Sequence, residues 1–394
     1  MISKKMYELG SKRSTIRELF EYGKKAKEKY GEENVFDFSL GNPSTPPPKA
    51  VLECIERIVK ESDPISLHGY SSAQGDAATR QKISQSLKNK YGADIPESRI
   101  YMTCGAAASL TVTLKALISD KTDRFAVQAP FFPEYKVFTE VSGGILDAVP
   151  PDTDRFDINL DGFEKTINEN TKGVIINSPN NPSGVIYSEE ALKKLSELLS
   201  EKSKQYGHPI YIISDEPYRE LTYGKKVPYI PDIYPNTVIC YSYSKSLSLP
   251  GERIGYIAVP NGVCCGDELY FAICGSGRGL GYVCAPTLMQ KVVSECSDIL
   301  PDISVYRKNR DNLYAALTVM GYECVVPDGA FYLFVKAPNG DSRAFSEKAK
   351  EFNLLLVPGD DFGCPGYVRI SYCVSEKTVK NSFCAFGKVK DAFK

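Results

Sequence analysis

Histidine is scarce: His68 and His208 are the only two in 394 residues, and no two of the 12 cysteines stand in a Cys-x-x-Cys spacing. A structural zinc site draws four such ligands from short, regular spacings, so the pattern argues against one. No charge of one sign dominates, since 48 Lys+Arg stand against 49 Asp+Glu. That balance provides no field for holding nucleic acid or an anionic membrane. Long apolar runs are absent too, and Met1 to Ser14 is polar with no apolar stretch behind its lysines. Neither a membrane span nor a signal peptide is expected. Scattered thiols in such a chain suit a cytoplasmic protein that keeps them reduced.

The remaining composition, 42% apolar and 25% charged, is that of an ordinary folded protein. The length suits two or three globular units, or one large enzyme domain with a satellite. Ile16 to Tyr30 carries apolar residues at helical spacing, Val35 to Leu40 reads as a strand, and Pro46-Pro47-Pro48 stiffens a passage between units. Short apolar runs then recur at 100–103, 125–129, 145–149, 173–176, 210–214, 237–241 and 254–259. Amphipathic stretches such as 109–118 and 189–204 lie between them. Continuous apolar strands alternating with helices predict a mostly parallel sheet covered on both faces, with ligands at the carboxyl ends of its strands. Beyond about residue 285 the pattern predicts one long helix over Pro286 to Tyr314, short strands around 332–335 and 368–372, and a closing helix from Ser375.

Chemistry concentrates at the ends of the apolar runs. Ser242-Tyr-Ser-Lys245 sets one lysine in a run of hydroxyls, with Arg253 eight residues on. A lysine held out of bulk water beside a second cation becomes a nucleophilic amine able to form a Schiff base, and the hydroxyls and guanidinium suit a phosphate. The competing reading is a surface lysine in a polar loop. Asp215 ends another run, with Tyr218 three residues later. It either pairs with a protonated ring nitrogen or caps the following turn. Asn177 to Gly184, with two prolines, either aims Asn181 at a ring oxygen or is a plain turn. Cys104-Gly105-Ala106-Ala107 opens a helix, which offers backbone N–H groups to an anion or simply packs closely on the sheet.

Taken with Gly41-Asn-Pro43, Tyr70 and Gly75, Pro130-Phe-Phe132-Pro133, Gly329-Ala-Phe-Tyr332, Pro358-Gly359 and Val368-Arg369-Ile-Ser371, these motifs resemble the class I/II, fold-type I aminotransferases over nearly the whole length. The aspartate aminotransferases are the nearest kind. The resemblance implies a three-layer α/β/α large domain on a mostly parallel seven-stranded sheet, with a smaller α+β domain built from both chain ends. It divides the chain at 1–45 (arm and part of the small domain), 46–289 (cofactor domain) and 290–394 (small domain). It implies pyridoxal 5'-phosphate as cofactor, carried on Lys245, with Asp215 at the pyridine nitrogen, Asn181 and Tyr218 at the phenolate oxygen and Phe132 stacked on the ring. The phosphate falls to the N–H groups of Gly105, Ala106 and Ala107, to Ser242 and Arg253, and to Tyr70 from a second subunit. Arg369 grips the substrate α-carboxylate, Gly41 lines the entrance, and Arg278, in a glycine-rich loop, is either a candidate grip for a side-chain carboxylate, a contact to the neighbour's phosphate or a solvated arginine. Implied substrates are an L-amino acid and a 2-oxo acid, exchanged by a ping-pong mechanism in a homodimer with shared sites. Phe132 replaces the commoner Trp or Tyr, and Ala107 stands where some aspartate-specific relatives have a lysine.

Two other readings compete. A carbon-sulfur β-lyase would use the same lysine and ring contacts, and a non-catalytic cofactor-binding regulator would need a further N-terminal module. The glycines at 275, 277, 279 and 281 do not form a Gly-x-Gly-x-x-Gly fingerprint, which sets a nicotinamide dehydrogenase aside.

Overall fold

The computed structural model describes residues 2–12 and 14–393. Seven strands form the main sheet: β2 (Ile100–Thr103), β3 (Arg124–Gln128), β4 (Ile145–Val149), β5 (Thr171–Asn177), β6 (Tyr211–Asp215), β7 (Thr237–Ser242) and β8 (Gly255–Ala258). They follow β1 (Phe36–Asp37), which belongs elsewhere. The order across the main sheet is β2-β8-β7-β6-β5-β3-β4. Every pairing from β7 to β4 is parallel, and β8 runs antiparallel to both of its neighbours.

Period-two alternation explains why these runs are apolar throughout. Ala126, Val174, Ile176 and Ile212 point to one face and pack under Phe163, Leu192, Leu195 and Leu199 of the helices Leu160–Thr166 and Glu189–Tyr206. Phe125, Val127, Ile175 and Ile213 point to the other face and meet Leu110, Leu114 and Tyr135 of the helices Ala106–Leu117 and Glu134–Ser142. A strand buried on both faces has few positions for a polar residue before it leaves the sheet. The site's polar side chains accordingly stand at or beyond the strand ends.

A second core joins the chain's two extremities. β9 (Cys324–Val325), β10 (Tyr332–Lys336), β12 (Val357–Pro358) and β13 (Tyr367–Ser371) form an antiparallel sheet, and β1 pairs in parallel with β11 (Leu354–Leu355). Leu333, Val335, Val368 and Ile370 pack with Leu313 and Leu317 of the helix Ser304–Val319 and with Val379, Phe386 and Val389 of the closing helix Glu376–Asp391. Ser375 caps that helix, its Oγ accepting from Thr378 N at 3.0 Å. The three-layer unit with its smaller α+β unit is the architecture the motifs imply. Among the described residues no helix is long and apolar enough to cross a membrane.

Three local expectations need correction. The stretch from Pro286 to Tyr314 holds two helices, Thr287–Cys296 and Ser304–Val319. Pro301 between them lacks an amide hydrogen and cannot sit inside a helix without breaking its ladder. The strand expected over Val35 to Leu40 pairs only at Phe36–Asp37, because the carbonyls that follow are taken by side chains and backbone of the site. The glycine-rich stretch is not a loop: Gly275 to Gly279 form the last turns of the helix Gly266–Gly279. Gly277 lies so close to β2 that a Cβ there would stand 2.1 Å from Tyr101 Oη. Gly277 alone of this run serves close helix–sheet packing, since a Cβ at Gly275 or Gly279 would meet nothing within 4 Å.

Candidate active site

The carboxyl ends of the parallel strands, with β13 and the segment after β1, enclose a cavity of about 300 Å³. Gly41, Ala106, Ala107, Phe132, Asn181, Asp215, Tyr218, Ser242, Lys245, Arg253 and Arg369 all line it. Residues separated by more than 300 positions thus meet in one place. Gly105 sits at the cap of the helix Ala106–Leu117 with φ +87°, and a Cβ there would meet Arg253 Nη2 at 2.8 Å. Only a residue without a side chain lets this guanidinium lie against the helix start.

Asp215 ends β6 in register with Asn177, the last residue of β5. Tyr135 Oη donates to Asp215 Oδ2 at 2.5 Å, and Asn177 Nδ2 donates to the Asp215 carbonyl at 2.9 Å. Oδ1 of the same carboxylate is buried without a partner. Burial pushes the Asp215 pKa up to about 7, partly offset by the Tyr135 hydrogen bond. A buried carboxylate that lines a cavity and has one oxygen unpaired fits a cationic N–H donor.

Lys245 follows β7 on a single helical turn, Tyr243–Ser246, that Ser242 caps through Ser244 N at 3.2 Å. Burial, reinforced by the nearby Arg253 and Arg369, lowers its ammonium pKa to about 8, against an opposing pull from Cys373. Its Nζ donates to Gly41 O at 2.6 Å. Gly41 in turn is pressed on Tyr332, whose Oη would lie 2.1 Å from a Cβ. Tyr332 Oη shares a hydrogen bond of 2.9 Å with Tyr218 Oη.

Arg369, on β13, is buried and lies over the rings of Tyr332 and Phe362 at 4.8 and 4.9 Å. Nη1 donates to Asn181 Oδ1 at 3.0 Å and Nη2 to Ser39 O at 2.5 Å, while Nε has no partner. The four consecutive carbonyls of 38–41 are all occupied. Phe38 O accepts from Ser371 N, Ser39 O from Arg369, Leu40 O from Cys373 Sγ and Gly41 O from Lys245. This lacing fixes the wall of the cavity opposite the strand ends.

Two of the residues singled out in the sequence stand apart. Tyr70 is 89% exposed and Arg278 is exposed on its helix, and neither lines the cavity. Sequence reasoning gave no role to Tyr135, although its place three residues after Phe132, across the start of a helix, was a usable signal. The Gly41 and Ser39 carbonyls carried no signal, because every residue has one.

Comparison with known proteins identifies the family. The family model for aminotransferase class I and II matches residues 33–385. The aspartate aminotransferase of Bacillus subtilis is 30% identical over 373 residues, covering 89% of this chain and 90% of that one. A crystal structure of an aminotransferase from Eubacterium rectale superposes with a TM-score of 0.98 at 56% identity, covering 100% and 99% of the two chains. That of the Thermotoga maritima aspartate aminotransferase gives 0.87 at 28% identity over 99% and 100%. These similarities favour amino transfer over the lyase reading, and the chain belongs to the class I and II aminotransferase family, as a transferase of amino groups.

Proposed function

We propose that the chain is a pyridoxal-phosphate-dependent aminotransferase that moves an amino group between an L-amino acid and a 2-oxo acid by a ping-pong mechanism. The observation that carries the reading is the convergence of Lys245, Asp215, Arg253 and Arg369 on one cavity, with the lysine pKa lowered to about 8. The unpartnered Oδ1 of Asp215 and the Arg253 guanidinium beside Gly105 fit the two ends of the cofactor, its ring nitrogen and its phosphate. Lys245 would attach it and Phe132 would stack on it. Asn181 and Tyr218 would meet its phenolic oxygen, and Ser242 with the N–H groups of Gly105 to Ala107 would share the phosphate. When bound there, the cofactor supplies an electron sink that acidifies the substrate Cα–H bond.

The protein's own part follows from its groups. Arg369 binds the α-carboxylate, with its unpartnered Nε available and Ser39 O the contact to be exchanged. That grip fixes which bond at Cα faces Lys245. Lys245, neutral in a substantial fraction near pH 8, would take the proton from the substrate Cα and deliver it to the cofactor carbon that receives the amino group, the reverse transfer serving the second half-reaction. Gly41 lines the cavity against Tyr332, and the apolar walls of Leu110 and Phe132 keep water from the reacting atoms.

The same reading places the enzyme in the cytoplasm as a homodimer, with Tyr70 reaching the phosphate of a second copy. It divides the chain at 1–45, 46–289 and 290–394. Arg278 is assigned to a side-chain carboxylate in the second copy's site; Arg278→Ala should then lower kcat/KM for aspartate and glutamate and spare alanine and leucine. Borohydride reduction of the purified enzyme followed by peptide mapping tests the central assignment. Label on the peptide holding Lys245 is expected, and label on another lysine, or no incorporated cofactor, overturns it.

A further inference from the structure

A second cluster of reactive side chains lies at the opposite end of the sheet. β8 runs from Gly255, beside Ser242 and Thr103, to Ala258, beside Ile239 and Ile100, so the chain leaves it at the amino ends of the parallel strands. Six residues on stand Cys264 and Cys265, both exposed, with Sγ atoms 3.7 Å apart. Of the other ten cysteines only Cys384 is exposed, and it has no thiol neighbour of this kind among the described contacts.

The pair is held from both sides. Cys264 N donates to Asn236 Oδ1 at 2.7 Å, and Cys264 O accepts from Tyr211 Oη at 3.2 Å. These contacts tie it to the residue before β7 and to the first residue of β6. Cys265 adopts φ +52°, a left-handed conformation uncommon for a residue with a Cβ, and so directs both thiols to one side. Adjacent cysteines in extended backbone would point to opposite faces.

The spacing selects a chemistry. A disulfide needs its sulfurs at about 2.05 Å, far inside the observed separation. Two thiolates at about 2.3 Å from a tetrahedral centre stand roughly 3.8 Å apart, and a pyramidal three-coordinate centre with its narrower bite holds them somewhat closer, a separation the pair at 3.7 Å reaches by a small side-chain rotation. No cluster of three or more His, Cys, Asp or Glu able to hold a metal ion occurs among the described residues. A centre that requires four protein ligands is therefore not satisfied here, whereas one that requires two is.

We propose that Cys264 and Cys265 form a chelating dithiol site for soft, thiophilic centres that take two thiolates, with monosubstituted trivalent arsenicals as the matching ligand class. With phenylarsine oxide two As–S bonds form, the As–O bond breaks, and the oxygen leaves as water carrying the two thiol protons. Arsenic stays trivalent and no oxidant is consumed. The phenyl group and the two sulfurs complete its coordination.

The test treats the purified full-length enzyme with one equivalent of phenylarsine oxide, in the presence of excess glutathione to strip single-thiol adducts, and reads intact mass and peptide maps. One adduct on the peptide holding Cys264 and Cys265 is expected, reversed by dithiothreitol. It should be lost in Cys264→Ser and in Cys265→Ser and kept in Cys384→Ser. Because the pair lies at the far end of the sheet from the cavity, amino transfer should be unchanged in all three variants, which also reports that they fold. An adduct that survives either pair substitution, maps to any of the other ten cysteines, or fails to form in the unsubstituted enzyme overturns the proposal.

Discussion

Tyr135 and Asp215, 80 residues apart in the chain, meet at 2.5 Å with the phenol donating to one carboxylate oxygen and the other oxygen buried without a partner. The unpartnered oxygen is where the cofactor nitrogen is proposed to bind, so Tyr135 sets the orientation and basicity of the group behind it. Tyr135→Phe removes a hydrogen bond to a charged partner, an effect of about 1.5–3 kcal/mol. The Asp215 pKa should rise, since the bond now holds it down. Expected are a fall in kcat of roughly 10- to 100-fold, by the tenfold per 1.36 kcal/mol relation, and a shift of the pH–rate profile to higher pH. Steady-state kinetics over pH checks this, and a variant with the parent profile would make Tyr135 a packing residue only.

Lys245 offers a pH test that does not depend on turnover. Its ammonium is brought from 10.5 down to about 8 by burial, so the neutral amine, the form that captures an aldehyde, accumulates as pH rises through 8. In cofactor-free protein the rate of pyridoxal phosphate uptake should climb to a plateau just above that pH. A midpoint near 10.5 would mean that the amine is solvated.

The glycines of the helix Gly266–Gly279 separate packing from flexibility. Gly277→Ala places a methyl 2.1 Å from Tyr101 Oη and should destabilise the fold by about 1–3 kcal/mol, as overpacking does. Gly275→Ala meets nothing within 4 Å and should stabilise by up to about 1 kcal/mol through helix propensity. Denaturant titration of the two variants distinguishes them. Equal, small effects would return the stretch to the loop that the sequence suggests.

Tyr70, exposed on the single chain, is assigned to a second copy's phosphate. Mixed subunits carrying Tyr70→Phe and Lys245→Ala should then recover activity. In such a hybrid the site that keeps Lys245 borrows an intact Tyr70, and roughly half the parent rate is expected under two-fold exchange. A hybrid no more active than the average of its two homodimers would place Tyr70 in its own subunit, and an active monomer at high dilution would remove the exchange altogether.

What the amino-acid sequence determined by itself was local. The strands at the centre of the sheet were legible because a strand covered on both faces is apolar along most of its length, and Lys245, Asp215, Asn181 and Gly105 stood out because they are polar or small residues just beyond or at the ends of such runs. Ser375 and Gly105 marked helix starts through capping and turn chemistry that acts within a few residues. The glycines at 275 to 279 misled for the same reason: their local preference favours a loop, and contact with Tyr101 decides for a helix. Tertiary structure alone decided that Tyr135 meets Asp215, that Gly41 O receives Lys245 across 204 positions, and that Arg369 closes on Ser39 across 330. These pairings depend on strand order and on how the two chain ends share one core. Periodicity does not encode such order, because hydrophobic burial rewards any arrangement that removes the same area from water, and only the packed structure selects among them.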